Sequence, residues 1–98
     1  MRVHWTDRAK ARLKLIKAYI EQDNPSAALQ LTSRIINRSA QLPEQSKIGR
    51  RVPEYKRDDI REILERPYRI IYRIKSNQID VISVMHYRQL LPQDFKKL

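Results

Sequence analysis

The side chains that can perform acid–base chemistry in this sequence lie mainly in its second half. Glu54, Arg61, His86 and Tyr87 supply a carboxylate, a guanidinium, an imidazole and a phenol. Cleavage of RNA without a metal needs a group that activates the 2′-hydroxyl, a cation for the charge that develops on the phosphate, and an acid for the leaving oxygen. His86 is the best single candidate, because an unperturbed imidazole titrates near pH ~6.5 and can serve as acid or base.

Each of these residues also has a structural interpretation. Alternation along a strand always places some charged side chains on the solvent face. Arg61 can pair with Glu62 or Glu65, and His86 can be a partly buried histidine at a strand end or a contact for a partner protein. The residues alone leave catalysis, partner binding and structure open as alternatives.

The metal-ligating and redox-active residue types are scarce. The sequence has no cysteine, and its two histidines, His4 and His86, lack the spacing of zinc ligands. A disulfide framework and a cysteine nucleophile are therefore excluded, and we expect neither a metal site nor a cofactor.

The charge balance is strongly basic. The sequence contains 21 lysines and arginines and 11 acidic residues, which gives a formal net charge of +10 over 98 residues. Such a charge attracts anionic partners by long-range steering, so nucleic acid, a ribosome, an acidic membrane surface and an acidic protein all remain open. No apolar run approaches the ~20 residues of a membrane span, and the first residues do not form the apolar region of a secretory signal. We therefore expect a cytoplasmic protein.

The first half of the chain predicts a strand and two helices within one domain, residues 1–98. Residues 2–5 have the pattern of an edge strand, and Thr6 can cap the basic amphipathic helix that follows. The cations of that helix, Arg8, Lys10, Arg12, Lys14 and Lys17, are interpreted as a solvated face, with a phosphate-binding surface as the alternative. Asn24-Pro25 then starts a second helix that ends near Leu42-Pro43, and a short turn makes the two helices antiparallel.

The second half predicts strands. Residues 48–52 and 59–65 form two shorter candidates, and residues 68–75 and 78–87 form a hairpin around Ser76-Asn77. In the last strand, strict alternation places Ile79, Val81, Ser83, Met85 and Tyr87 on one face and Ile82, Val84 and His86 on the other. Residues 91–98 are a terminal segment for which the sequence predicts flexibility.

The order of these elements indicates an α+β fold, with the N-terminal strand followed by an antiparallel helical hairpin that packs on one face of a three- to four-stranded, mainly antiparallel sheet. The opposite face is then open and basic. We expect it to bind a partner through a set of arginines: Arg50, Arg51, Arg61, Arg69, Arg73 and Arg88.

Several segments together resemble the RelE/ParE toxin superfamily, in its ParE-like branch. They are Trp5-Thr6 before a basic helix, the stretches at residues 23–28, 49–54, 60–62, 68–72 and 84–88, and their order along nearly the whole chain. The sequence departs from the nuclease branch in having only Lys47 and Lys56 between the second helix and the central strands.

The resemblance implies the toxin of a type II toxin–antitoxin module, of the plasmid-stabilisation kind, which inhibits growth and is neutralised by a cognate antitoxin. For the ParE-like branch it implies DNA gyrase as the target, bound without chemistry. For the RelE-like alternative it implies a metal-independent endoribonuclease, an mRNA interferase, that cuts messenger RNA on the ribosome with Glu54, Arg61, His86 and Tyr87 as its candidate residues.

Overall fold

The fold of the chain, in a computed structural model that describes residues 1–92, 95 and 98, is α+β. Two helices pack on one five-stranded sheet, which has one strand more than the upper number expected from the sequence. The elements, in chain order, are β1 (Arg2–Trp5), α1 (Asp7–Glu21), α2 (Pro25–Ala40), a 3₁₀ turn (Leu42–Glu44), β2 (Arg50–Arg51), β3 (Ile60–Glu65), β4 (Tyr68–Ile74) and β5 (Gln78–His86).

Both helices begin where their capping residues predict. The Thr6 hydroxyl accepts a hydrogen bond from the backbone N–H of Ala9 at 3.1 Å, and the Asn24 side chain accepts one from Ala27 at 3.0 Å. Pro25 occupies the first turn of α2, where its missing N–H removes no helical hydrogen bond. The predicted helical hairpin is therefore confirmed.

The sheet has the strand order β1-β5-β4-β3-β2. β4 lies between β3 and β5 and is antiparallel to both, and the β4–β5 hairpin turns at Ser76-Asn77 as predicted. β1 is parallel to β5, because the helical hairpin carries the chain back across the sheet. β1 and β2 form the two edges.

The main core lies between the helices and one face of the sheet. Ile16, Leu31 and Ile35 from the helices meet Ile70 and Tyr72 from β4 there. Tyr68 is partly buried against the same core.

The opposite face of the sheet is covered, so the expectation of an open basic face is wrong. Ile60, Ile71 and Ile82 form a second core with residues from two segments that cross this face. The covering side chains are Val52 and Tyr55 from the loop after β2, and Leu91 and Phe95 from the C-terminal segment. This arrangement removes the central strands from solvent on both faces.

The prediction of strict alternation along β5 is also wrong, because the pairing of β5 with β4 shifts register between Ile71 and Tyr72. Ile71 pairs with Ser83 whereas Tyr72 pairs with Val81, so Ile82 is an extra residue. Beyond this bulge the faces exchange: Val84 joins Val81 in the main core, and Met85 joins Ile82 in the second core. His86 consequently lies on the helix side, with its ring against Tyr68 at 5.9 Å between centroids.

The only glycine of the sequence, Gly49, is required by a close approach. Its N–H donates to the hydroxyl of Tyr72 at 3.0 Å, and this hydroxyl donates to the carbonyl oxygen of Ser46 at 2.7 Å. A Cβ atom at position 49 would lie 2.6 Å from the Tyr72 hydroxyl and would also collide with the backbone carbonyl of Glu62.

The C-terminal segment contributes to the structure where it is described. Leu91 and Phe95 are buried, and the Tyr55 hydroxyl donates to the carbonyl of Pro92. The rest of the predicted flexible segment, residues 93, 94, 96 and 97, lies outside the described residues. Among the residues described, no helix is long and apolar enough to cross a lipid bilayer.

Candidate functional site

A buried ionic network crosses the covered face and contains three of the predicted site residues, Arg50, Glu54 and Arg69. The Arg69 guanidinium, in a residue only 5% exposed, donates to both oxygens of Glu54 at 2.9 Å and to Glu62 at 2.6 Å. It also donates to the backbone carbonyl of Gln89 at 2.8 Å. Glu62, which is 1% exposed, accepts a further bond from Arg50 at 2.6 Å. The network thus ties β2, β3, β4 and the C-terminal segment together.

The network favours the charged forms of Glu54 and Arg69. Hydrogen bonds from Arg69 and from the backbone N–H of Leu91 outweigh partial burial and lower the pKa of Glu54 from 4.5 to about 2. Burial disfavours the charged form of Arg69, but the hydrogen bonds and charges of Glu54 and Glu62 outweigh it and raise the pKa of Arg69. The expectation that Arg69 lies on an exposed face is therefore wrong.

Arg61 is held by local contacts rather than by the neighbours expected from the sequence. Its guanidinium donates to the carbonyl of Gly49 at 2.8 Å, and to the backbone and side chain of Asp58 at 2.9 and 2.7 Å. The Asp58 carboxylate also lies 3.4 Å from Lys47, and the charges of Lys47 and then Arg61 lower its pKa. Arg61 thereby pins the loop before β3 against the loop before β2.

His86 and Tyr87 lie together at the other end of the sheet. Their rings stack with centroids 4.7 Å apart, and the Tyr87 hydroxyl accepts a hydrogen bond from Arg88 at 3.1 Å. His86 Nδ1 accepts from the backbone N–H of Arg88 at 3.2 Å, which places a ring proton on Nε2. Tyr87 is 48% exposed, so the phenol is accessible to a partner.

The register of the sheet separates Arg61 from this pair. Arg61 is opposite Tyr72 and His86 is opposite Tyr68, four residues away along β4. At about 3.3 Å per residue, this places the two positions about 13 Å apart along the strand and on different neighbours of β4. The structure therefore does not bring Arg61 to His86.

Glu54 and Tyr87, in contrast, line one cleft, whose volume is about 370 Å³. The other side chains of this cleft are those of Arg50, Pro53, Arg69, Gln89 and Leu90. Of the cations, only Arg50 extends well into solvent, with a side chain 65% exposed. Two of the four candidates for catalysis, Glu54 and Tyr87, thus line one cleft, and His86 adjoins it through its ring contact with Tyr87. The accessible cations nearby are Arg50 and Arg88 rather than Arg61.

The remaining predicted arginines differ in accessibility. Arg73 lies 3.4 Å from Asp59. Burial raises the pKa of Asp59, but the hydrogen bond and charge of Arg57, with a smaller contribution from Arg73, outweigh it and lower that pKa. Arg51 is exposed on the edge strand β2. Of the six arginines expected to bind a partner, Arg50, Arg51 and Arg88 are therefore the accessible ones.

Sequence reasoning missed a groove of about 410 Å³ between α1 and α2. Three of the helix cations assigned to a solvated face, Lys10, Lys14 and Lys17, form one side of it. Trp5, Leu13, Thr32 and Ile36 complete its lining. Ile36 could have indicated this groove, because it is an apolar residue beside the buried stripe of α2; in the structure it is 48% exposed.

No group of three or more residues with metal-binding side chains occurs among the residues described.

Comparison with known proteins gives three agreeing similarities. Residues 3–91 match the model of a family described as the ParE toxin of the type II toxin–antitoxin system parDE. The protein named "Putative toxin Y4kP" from Sinorhizobium fredii (strain NBRC 101917 / NGR234) is 38% identical in an alignment of 97 residues, and the match covers 94% of this chain and 94% of that one. A solved structure titled "Chromosomal ParDE TA system from P. aeruginosa" superposes with a TM-score of 0.72 and 26% identity, over 88% of this chain and 95% of that one.

Proposed function

Because this chain belongs to the ParE toxin family of type II toxin–antitoxin systems, we propose that it inhibits growth by binding a target protein, DNA gyrase, and that a cognate antitoxin neutralises it. Its site of action is the cytoplasm, where the target and the antitoxin are both available.

One observation carries the choice of binding over catalysis: the charged groups at the covered face are engaged with one another. A general base works best when its pKa lies near the operating pH, whereas that of Glu54 is about 2. Each guanidinium nitrogen of Arg69 already donates within the network, so Arg69 has little capacity left for a developing phosphate charge. These residues stabilise the fold, and the exposed residues around them are available for recognition.

The accessible cations support recognition of an acidic protein surface. Arg50 lines one cleft with Tyr87, Arg88 lies over the exposed ring of Tyr87, and Arg51 follows Arg50 on the edge strand β2. Tyrosine and arginine are the residue types that contribute most often to the energetic centres of protein interfaces. This surface is the part of the molecule that we assign to the target.

A second function, cleavage of messenger RNA on the ribosome, has its own supporting observation. His86 and Tyr87 stack beside the cleft that Glu54 lines, and Arg50 and Arg88 supply cations nearby. In that function His86 acts as the acid or base and Glu54 only positions Arg69.

The two functions are separated with purified components. The wild-type chain is added to a gyrase supercoiling reaction and, in parallel, to a translation reaction programmed with a defined messenger RNA. His86→Ala and Arg88→Glu are tested in both reactions, since the first removes the imidazole and the second reverses an accessible charge.

If the chain acts by binding gyrase, the wild-type chain stops supercoiling and leaves the messenger RNA intact. His86→Ala then retains inhibition, whereas Arg88→Glu loses about tenfold or more in potency, because a repelled charge slows association. Cleavage of the messenger RNA that disappears with His86→Ala, with supercoiling unaffected, would establish the ribonuclease instead.

A further inference from the structure

A pocket of about 360 Å³ opens where the turn between β3 and β4 meets the end of β5. Its lining consists of Leu64, Arg66, Pro67, Tyr68 and Tyr87. Tyr87 also lines the cleft beside Glu54, so the two cavities share one wall. Leu64, Arg66 and Pro67 take no part in the ionic network or in the stacked rings, and the pocket is therefore a separate feature of the surface.

The walls of this pocket are held in place by the sheet. The backbone N–H of Tyr87 donates to the carbonyl oxygen of Pro67 at 2.8 Å, which fastens the end of β5 to the β3–β4 turn. Tyr68 is partly buried against the main core, and its ring contacts His86 edge-on. His86 in turn stacks on Tyr87. The pocket is thus preformed, so a partner that enters it has little ordering entropy to offset.

The cations around Tyr87 lack the carboxylate partners that most arginines of this chain have. Arg38, for example, pairs with Glu65 at 3.2 Å, next to the pocket in sequence. The exposed guanidinium of Arg66 has no hydrogen bond or ion pair within the described part of the chain. The side chain of Arg88 contacts the ring and the hydroxyl of Tyr87 and no carboxylate among the same residues. Two unneutralised positive charges therefore accompany the pocket.

We propose that this pocket seats one aromatic side chain of the target, DNA gyrase, and that an acidic residue of gyrase beside that side chain pairs with Arg66. This inference rests on the proposed binding of gyrase and specifies its anchor. It extends the recognition surface of Arg50, Arg51 and Arg88 past Tyr87 onto the β3–β4 turn.

The lining selects a flat, largely apolar group. Two phenol rings, a proline ring and the side chain of Leu64 form most of it, and Arg66 is its one charged member. Aromatic rings pack on such walls edge-to-face or offset-stacked, which stabilises the contact beyond the area that is buried. Aromatic anchors in well-packed pockets are also typical energetic centres of protein interfaces.

Charge and continuity favour gyrase over other occupants. A second copy of this chain would bring a molecule of net charge +10 against Arg66 and Arg88, which disfavours self-association through the pocket. Tyr87 belongs both to the pocket and to the surface assigned to gyrase, so one protein partner covers the two together. A nucleobase is the other flat group that could stack there, and it enters the test as the alternative occupant.

The first pair of variants tests the apolar lining. Leu64→Glu places a carboxylate in the pocket, and Leu29→Glu makes the same change at an exposed leucine of α2 outside it. Leu64 is 39% and Leu29 is 59% exposed, so both proteins should fold, and circular dichroism verifies this. The dissociation of each variant from immobilised gyrase is measured. We expect Leu64→Glu to dissociate about tenfold or more faster than the wild type and Leu29→Glu to change little.

The second pair tests the charge and keeps the lining intact. Arg66→Glu and Lys14→Glu both reverse one exposed cation, so long-range attraction to gyrase falls equally in the two proteins. Lys14 lies on α1, away from the β3–β4 turn. We expect Arg66→Glu to need about tenfold more protein than Lys14→Glu to stop supercoiling, because only Arg66 has a carboxylate partner in the complex.

Photo-crosslinking locates the contact directly. The photoreactive amino acid p-benzoylphenylalanine replaces Leu64 in one protein and Leu29 in the control, and each is irradiated with gyrase or with a single-stranded RNA oligonucleotide. We expect a crosslink to gyrase from position 64 and none from position 29. The crosslinked peptide of gyrase should contain an aromatic residue beside an aspartate or glutamate, and the RNA should stay unlinked.

The outcomes separate the pocket from the function. If the wild-type chain inhibits gyrase but each variant equals its control, or if the crosslinked peptide lacks an aromatic residue, the pocket assignment is overturned while gyrase remains the target. A crosslink from position 64 to RNA and not to gyrase reassigns the pocket to a nucleobase. A wild-type chain that neither binds gyrase nor stops supercoiling overturns the proposed function, and the pocket assignment with it.

Discussion

Replacement of Glu54 by glutamine should weaken the fold at neutral pH and have no effect in strong acid. The pKa of Glu54 is lowered from 4.5 to about 2, mainly by its hydrogen bonds with Arg69. That pKa difference corresponds to about 3.4 kcal/mol, since one pKa unit is about 1.36 kcal/mol. The Glu54 side chain is 19% exposed, so solvent screening reduces the effect, and we expect a loss of about 2 kcal/mol.

The direction of the pH dependence follows from the lowered pKa. The unfolded chain binds a proton at Glu54 near pH 4.5, whereas the folded chain binds it only near pH 2. The stabilisation is therefore fully present above pH 4.5 and is lost as the pH falls towards 2. Protonated glutamate and glutamine are then nearly equivalent, so the two proteins should converge there.

The assay is urea unfolding of the wild type and of Glu54→Gln at a series of pH values, monitored by circular dichroism. The difference between the two free energies of unfolding isolates Glu54, because the other carboxylates titrate alike in both proteins. Glu44→Gln, at an exposed carboxylate, is the control and should show no comparable difference. A difference that stays constant between neutral pH and pH 2, or that never arises, would refute the role given to the Glu54–Arg69 pair.

The same unfolding assay checks three further expectations. Gly49→Ala should cost about 2–4 kcal/mol, because the new methyl group meets a backbone carbonyl that cannot move aside; an unchanged midpoint would contradict the close approach. Tyr72→Phe should cost about 1–3 kcal/mol, since Gly49 N–H loses its buried acceptor; wild-type stability would show that water replaces the hydroxyl. Leu91→Ala should cost about 2–5 kcal/mol if the C-terminal segment covers the sheet, and a negligible loss would mean that it does not.

The sequence predicted the elements whose signals are local. Thr6 and Asn24 cap their helices through contacts three residues away, and Ser76-Asn77 closes the β4–β5 hairpin. Hydrophobic periodicity and capping need only neighbouring residues, so they can be read without knowledge of the fold.

Features that depend on distant contacts could not be predicted in this way. The bulge at Ile82 reverses the faces of the following residues, and nothing in the residue types around it marks the extra position. Arg69 occupies a position in β4 that the alternation of polar and apolar residues assigns to solvent. In the structure it is buried, and its guanidinium is bound by Glu54 and Glu62. Both acids come from other segments, so the pairing requires the assembled sheet.

In the candidate site, too, local features were predictable from the sequence and features that depend on distant contacts were not. His86 and Tyr87 are adjacent in sequence and remain adjacent in the structure. Arg61 was grouped with them by residue type alone, and the strand register places it near the opposite end of β4. The groove between α1 and α2 was missed because its two walls belong to different helices, whose relative position follows from packing.

The central claim, action by binding a target rather than by cutting RNA, is tested most directly by pulse labelling after induction of this chain alone in a bacterial host. Incorporation of labelled thymidine and of labelled methionine is followed side by side. The proposed function predicts that thymidine incorporation falls first while methionine incorporation continues. A collapse of methionine incorporation before any change in thymidine incorporation would contradict it and favour the ribosome-directed alternative.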